Sequence, residues 1–322
     1  LPECITLPTR PFRRFAMTIA YITHPTCSLH DMGEGHPESP ARLAVIEDQL
    51  LATGLHFAIR RYDAPAVTRE QLQRVHDPRF VDRIFALAPS TGLCWLDRDT
   101  AMSPHTLEAA LHAAGAVVYA VDLVLGGQET SAFCAVRPPG HHAERSAAGG
   151  CCLFNNIAVG AAHALSQYGL QRLAIVDFDV HHGNGTEDIF RDEPRVMFCS
   201  SFQHPLYPFS ATESPGTHVV KVPLAPGTGS DTFRDQVGKQ WLEPLEAFRP
   251  ELIMVSAGFD GHWQDEEADL NLTERDYAWV THELRKLAER HAGGRIISVL
   301  EGGYALPALG RCVVEHLRAL LD

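Results

Sequence analysis

Lysine is nearly missing from this chain of 322 residues: Lys221, Lys239 and Lys286 are all it has among 27 basic side chains, against 40 acidic ones. The resulting net charge of -13 disfavours direct contact with nucleic acid and draws in cationic ligands, within the reach that salt allows. Eight cysteines are scattered from Cys4 to Cys312 without a CxxC pair, which excludes a disulfide framework and a cysteine-built zinc knuckle and fits a reducing cytoplasm. No apolar run reaches the length of a membrane span, so no membrane partner is expected. Linkers and internal repeats are absent as well. The first sixteen residues, LPECITLPTRPFRRFA, carry three arginines but no long apolar region, so they do not read as a secretory leader. Residues 1–16 are expected to be an extension or cloning remnant, with 17–322 forming a single domain.

What the chain has is alternation of two periods. Strand-like runs occur at 18–22, 132–136, 173–176, 196–200, 218–222, 252–256 and 296–300. Helix-period segments lie between them, at 41–53, 103–125, 156–168, 232–248 and 274–291. Ser103 and Pro104 read as a cap followed by proline, and Thr273 precedes an acidic first turn. Repeated βα units predict an α/β protein: a three-layer α/β/α domain with a mainly parallel sheet and right-handed crossovers. Four loops rich in proline and glycine, 23–40, 88–102, 203–216 and 261–272, are too long for simple turns and suit the walls of a site.

Three strand ends carry the chemistry. DFDVHHGNGT, from Asp177 to Thr186, follows one apolar strand, and side-chain alternation would send Asp177, Asp179 and His181 to one rim. RPPGHHA, at 137–143, sets His141 and His142 after a second strand, and LIMVSAGFD ends a third in Asp260. If the strands are parallel neighbours, Asp179, His181 and Asp260 form a nitrogen–oxygen ligand set with room for water, the composition of a catalytic zinc site. His141 and His142 would stand beside that water as acid and base.

Those motifs, with EGGY at 301–304, stand in the order and approximate spacing of the zinc-dependent histone deacetylases and their bacterial relatives, including acetylpolyamine amidohydrolases. The resemblance covers roughly residues 19–318 and is nearest to class II members, which also read PPGHHA and HHGNGT. It implies the arginase/deacetylase fold with about eight strands. It also implies one zinc ion per chain on Asp179, His181 and Asp260, with His142 as general base, His141 as its partner in proton transfer, and Tyr304 as donor to the oxyanion. Asp177 falls where the family bonds the first histidine with an aspartate, and Asn184 falls where class II enzymes often carry asparagine. A carboxylate raises a histidine's pKa and an amide does not, so the two histidines should differ in basicity.

The resemblance assigns Gly150, Cys151 and Tyr207 to an acyl tube, with cysteine where the family usually has phenylalanine. Asp99, or Asp97 in an alternative alignment, matches a rim aspartate. Glu267 stands where polyamine deacetylases carry a gatekeeper glutamate, although it lies in an acidic run with Asp265 and Glu266 of the kind that is usually a solvated face. The constricting insertion of those enzymes is missing from DMGEGHPESP, at 31–40. Arg42 matches an arginine near an acetate channel and otherwise reads as a helix-surface charge. Asp177, Asp179, His181 and Ser200 could furnish oxygens for a structural potassium ion. His182, and His141 too if isolated, read otherwise as structural histidines.

The expected activity is removal of acetyl groups from amines, from N-acetylpolyamines or acetyl-lysine, with small-molecule or peptide substrates and a homo-oligomer left open. Deacylation of longer lysine acyl groups is the alternative. A binuclear manganese ureohydrolase would need a carboxylate where His262 stands, and a non-catalytic metal-binding scaffold would have no chemical need for the full set.

Overall fold

The computed structural model describes residues 18–322, so the expectations for residues 1–16 and for Cys4 lie outside the described residues. Among the described residues there are ten strands: β1 (Ile19–Thr23), β2 (Ile59–Asp63), β3 (Cys94–Trp95), β4 (Ala101–Met102), β5 (Ser131–Cys134), β6 (Leu173–Asp177), β7 (Val196–Gln203), β8 (Val219–Leu224), β9 (Leu252–Ala257) and β10 (Ile296–Leu300). Eight form one sheet in the order β2-β1-β5-β10-β9-β6-β7-β8, and every neighbouring pair is parallel. β3 and β4 make a separate antiparallel hairpin.

Helices cover both faces, giving the three-layer α/β/α arrangement and the eight-stranded sheet that the resemblance implied. Thr106–Leu125 packs on Asn156–Gln167, and Leu306–Leu321 packs between Ala41–Ala52 and Glu274–His291. The central strands β5, β6, β9 and β10 are buried at every residue, which is why they read as unbroken apolar runs rather than alternating ones. At the edges, β2 exposes Arg60 and Arg61, and β8 carries Pro223, features that discourage further strand pairing.

Two expectations are corrected. The helix after Ser103 begins at Thr106, with His105 at its N-cap, because the Ser103 N–H donates to Thr106 Oγ1 (2.8 Å) and folds a tight turn ahead of the helix. That helix is also long and apolar enough to cross a membrane, with a mean hydropathy of 1.5 over its window. Its residues from Ala109 to Val124 are mostly buried against the sheet and its partner helix.

Candidate active site

The carboxyl ends of four adjacent strands, β5, β10, β9 and β6, supply the chemical residues. This is where open α/β sheets bind ligands. Strand alternation accounts for only the first of them, since β6 ends at Asp177. Asp179 and His181 are set by the loop: Asp177 Oδ1 accepts the Asp179 N–H (3.1 Å), and Asp179 Oδ1 accepts the His181 N–H (2.9 Å). Each aspartate thus binds the backbone two residues on, a turn that asparagine and aspartate favour. From β9, Asp260 Oδ1 accepts the Val180 N–H (2.9 Å) and stitches the two loops together.

Asp179, His181 and Asp260 each place one ligand atom within 4.8 Å of the others, a group able to hold a metal ion. His181 Nδ1 lies 3.0 Å from Asp179 Oδ1 and 3.3 Å from Asp260 Oδ2. Asp260 Oδ2 is buried without a hydrogen-bond partner, the condition expected of an oxygen waiting for a cation. A Cβ on Gly302 would stand 2.0 Å from that oxygen, and one on Gly258 would stand 2.0 Å from Asp179 Oδ2. The glycines of EGGY and SAGFD are therefore where the backbone closes on the cradle.

The charges show the same imbalance. Burial works against protonation of His181, but the two carboxylates outweigh it and raise its pKa to about 10. Burial and the adjacent Asp179 push Asp260 up to about 7. Two carboxylates against one imidazole leave negative charge that a divalent ion would neutralise. Hard oxygen and borderline nitrogen donors fit zinc or a similar ion.

Beside this group stand the paired histidines. His141 Nδ1 meets Asp177 Oδ2 at 2.9 Å, and His142 Nδ1 meets Asn184 Oδ1 at 2.7 Å. Asn184 Nδ2 donates to Glu144 Oε1 (2.7 Å), which turns its oxygen to His142, so His142 Nδ1 carries the proton and Nε2 the lone pair. The two rings are 4.0 Å apart. For His141, burial is outweighed by Asp179 and Asp177 and its pKa rises. For His142, burial and then the charges of His141 and His181 depress it. The expected difference in basicity is present, with the neighbouring charges adding to the carboxylate–amide contrast.

A cavity of about 350 Å³ opens above them, reached by His141, His142, His181 and Tyr304. Gly150, Cys151, Tyr207, Asp99 and Glu267 all line it, so each residue expected in the substrate path arrives there. Gly150 has φ +54°, and a Cβ would meet His142 Cδ2 at 2.4 Å, so only glycine lets the wall pass the histidine ring. Cys151, at φ 65°, continues this strained turn. Asp99 rather than Asp97 faces the cavity; Asp97 is occupied in folding its own turn, accepting from the backbone of Asp99 (3.0 Å) and Thr100 (2.7 Å). Glu267 is exposed at the mouth.

The remaining expectations divide. Arg42 is not a surface charge: it is fully buried, its Nε donates to Gly303 O (2.8 Å), and its guanidinium lies 4.9 Å from the Tyr304 ring centre. His182 is structural, bonded to Ser200 Oγ (2.9 Å) and Glu187 Oε2 (2.6 Å). Ser200 Oγ lies 2.9 Å from His182 Nδ1, and Asp177 accepts the Asp179 N–H at Oδ1 and meets His141 Nδ1 at Oδ2. His262 is buried 3.5 Å from Glu274, and among the described residues no carboxylate takes the place of a second-metal ligand beside Asp260. Sequence reasoning passed over His36, Pro37 and Pro139, which also line the cavity, and Asp265, whose partners are 39 and 40 residues away in the chain.

A family model described as histone deacetylase domain matches residues 36–320. The chain is 38% identical to an uncharacterized protein of Synechocystis over 91% of its own length and 96% of that protein's. It is 37% identical to a histone deacetylase-like amidohydrolase of Pseudomonas aeruginosa, over 88% and 77% of the two chains. A polyamine deacetylase of Mus musculus, HDAC10, is 37% identical over 91% of this chain and 46% of its own. Among solved structures, the HDA15 HD domain superposes with a TM-score of 0.88 at 30% identity, covering 94% of this chain and 88% of that one. With the fold and the strand-end site already in view, these matches along nearly the whole chain mean that it belongs to the histone deacetylase family.

Proposed function

We propose that the protein is a zinc-dependent deacetylase that hydrolyses the amide of N-acetylated cationic amines, N-acetylpolyamines or acetyl-lysine. The observation that carries this reading is a cavity that reaches the group Asp179, His181 and Asp260 through His181, with two unlike histidines and a tyrosine beside it and carboxylates at the mouth.

Asp179, His181 and Asp260 are the residues that would hold zinc, which when bound supplies an electrophile for the acyl carbonyl and lowers the pKa of water to about 7. His142 offers Nε2 as the base, its other nitrogen being committed to Asn184. His141, kept charged by Asp177 and Asp179, is the proton donor for the departing amine. Tyr304, whose pKa is pushed up by burial, stays protonated and donates to the developing oxyanion. Gly150, Cys151 and Tyr207 wall in the acyl group and exclude water. Asp99 and Glu267 meet the cation at the mouth, and the acidic surface assists its approach. The seven described cysteines are all free, which supports a reducing cytoplasm as the compartment. Cys151 on the wall, shorter than phenylalanine, favours acyl groups longer than acetyl as the second reading.

The test is kcat/KM for acetylspermidine, acetylputrescine and acetyl- and longer-acyl-lysine peptides, with zinc analysis of the protein. Wild type should bind one zinc and prefer the cationic amines, and Asp179→Ala should lose the metal. Glu267→Leu should weaken acetylpolyamine hydrolysis while sparing acetyl-lysine peptides. Unchanged selectivity in Glu267→Leu refutes the gatekeeper role, and a zinc-loaded protein without turnover on any acyl amine refutes the enzyme in favour of a scaffold.

A further inference from the structure

The acidic run from 265 to 267 is only partly the solvated face its composition suggests. Glu266 and Glu267 are exposed, but Asp265 is 5% exposed. Its carboxylate spans two loops. Oδ2 accepts the N–H of Tyr304 (2.7 Å) and of Ala305 (2.9 Å), while Oδ1 accepts the N–H of Glu267 (3.2 Å). Removing a carboxylate from water is costly unless donors replace the solvent. Here three backbone N–H groups do so, and Ala305 is the N-cap of Leu306–Leu321, so the anion also sits at the positive end of a sixteen-residue helix.

This places Asp265 in a chain of restraints on the EGGY turn. Gly302 N–H is held by Asp179 Oδ2 (2.8 Å), Gly303 O is held by Arg42, and Tyr304 N–H is held by Asp265. The same carboxylate fixes the backbone of the residue at the cavity mouth. We propose that Asp265 is a positioning residue that aligns the Tyr304 side chain with one oxygen and Glu267 with the other, so one buried anion sets both the oxyanion donor and the charge selector. The inference rests on the roles given above to Tyr304 and Glu267.

Two substitutions separate the arms. In Asp265→Asn one carbonyl oxygen remains for Tyr304 and Ala305, whereas the amide nitrogen faces the Glu267 N–H, donor against donor. Its kcat should stay within about threefold of wild type, while KM for acetylspermidine rises and KM for a neutral acetyl-lysine peptide does not. Asp265→Ala frees both loops, and its kcat should fall about 10- to 100-fold on both substrates, the scale of a misplaced catalytic group. In a Tyr304→Phe background the same Asp265→Ala change should cost less than about threefold more, because the hydroxyl it positions is already gone. Equal losses in both backgrounds overturn the proposal. So does an Asp265→Asn enzyme as slow as Asp265→Ala, or one with unaltered KM for both substrates. If Asp265→Ala does not fold, the Asp265→Asn split between kcat and KM decides alone. A Tyr304→Phe enzyme with full turnover overturns the role of Tyr304 itself, a failure distinct from the others.

Discussion

At the scale of single residues, the site is a problem of space as much as of donors. Gly258 and Gly302 are the points where backbone replaces side chain around Asp179 and Asp260, and a methyl at either would stand 2.0 Å from a carboxylate oxygen. No ordinary contact is that short, so the carboxylate must turn. Gly258→Ala and Gly302→Ala should each weaken zinc affinity about 10- to 100-fold, the range seen when groups around ligands are disturbed. Gly238→Ala, where nothing lies within 4 Å, is the control and should leave affinity unchanged. Competition with a chelator measures all three; affinity retained in Gly302→Ala contradicts the described cradle. Tyr304 follows the same logic from the other side: Tyr304→Phe should keep the metal and lose about 10²- to 10³-fold in rate.

At the scale of elements, helix starts and strand edges decide how much could be read in advance. Thr273 does open the helix Glu274–His291, through Asp276, which accepts the Thr273 N–H (2.8 Å) and is fully buried. Asp276 is also bound by Ser230 Oγ (2.7 Å) and Arg234 Nε (2.8 Å), so it joins two helices. Asp276→Ala should therefore cost on the order of 3 kcal/mol, leaving Arg234, Ser230 Oγ and both the N–H and Oγ1 of Thr273 without their acceptor, while turnover per folded molecule is unchanged. A urea midpoint within error of wild type contradicts that account. Six of the seven strands legible in the sequence are those whose burial makes them largely apolar, as in LAIVD and IISVL, and the seventh, the edge strand β8, shows through its valines. β2, IRRYD, was not legible, because an edge strand with two exposed arginines has neither a continuous nor an alternating apolar pattern. The metal group and paired histidines were legible because each motif is contiguous and sits at a strand end. Asp265 and buried Arg42 were not: a charge gives no local sign that its partners arrive from 40 or 260 residues away.

At the scale of the whole molecule, buried histidines set the response to acid. His76 accepts the Asn155 N–H at Nε2 (3.0 Å) and meets Glu144 O at Nδ1 (2.9 Å), so it must be neutral; burial lowers its pKa from 6.5 to about 4. Burial lowers that of His316 to about 3. The unfolded chain takes up these protons first, so their contribution to stability is complete above pH 6.5 and is lost as pH falls towards 4 and 3. Glu187 adds to the loss between 4.5 and about 2: burial opposes its charge, but His182 and Lys221 outweigh it. Glu301, raised by burial to about 7, runs the other way between 7 and 4.5 and offsets one proton. Asp260, also raised to about 7, offsets a second proton, so the unfolding free energy should stay nearly level from pH 6.5 to 4.5 and decline below, by about 1.4 kcal/mol per pH unit for each net proton. Urea titrations at pH 7.5, 6, 5 and 4 read this directly, and a constant midpoint refutes it.

The uniform direction of the eight strands gives the molecule a working end and an idle one. The residues proposed as ligands, proton carriers and gate all lie beyond the strand exits, whereas the strand entrances are joined by connections such as Gly293–Gly294, whose positive φ values of 60° and 82° turn the chain towards β10 and which line no part of the cavity. A tether or fusion placed on the entrance side should accordingly leave the proposed substrate opening facing outward, an orientation that the topology imposes before any surface residue is chosen.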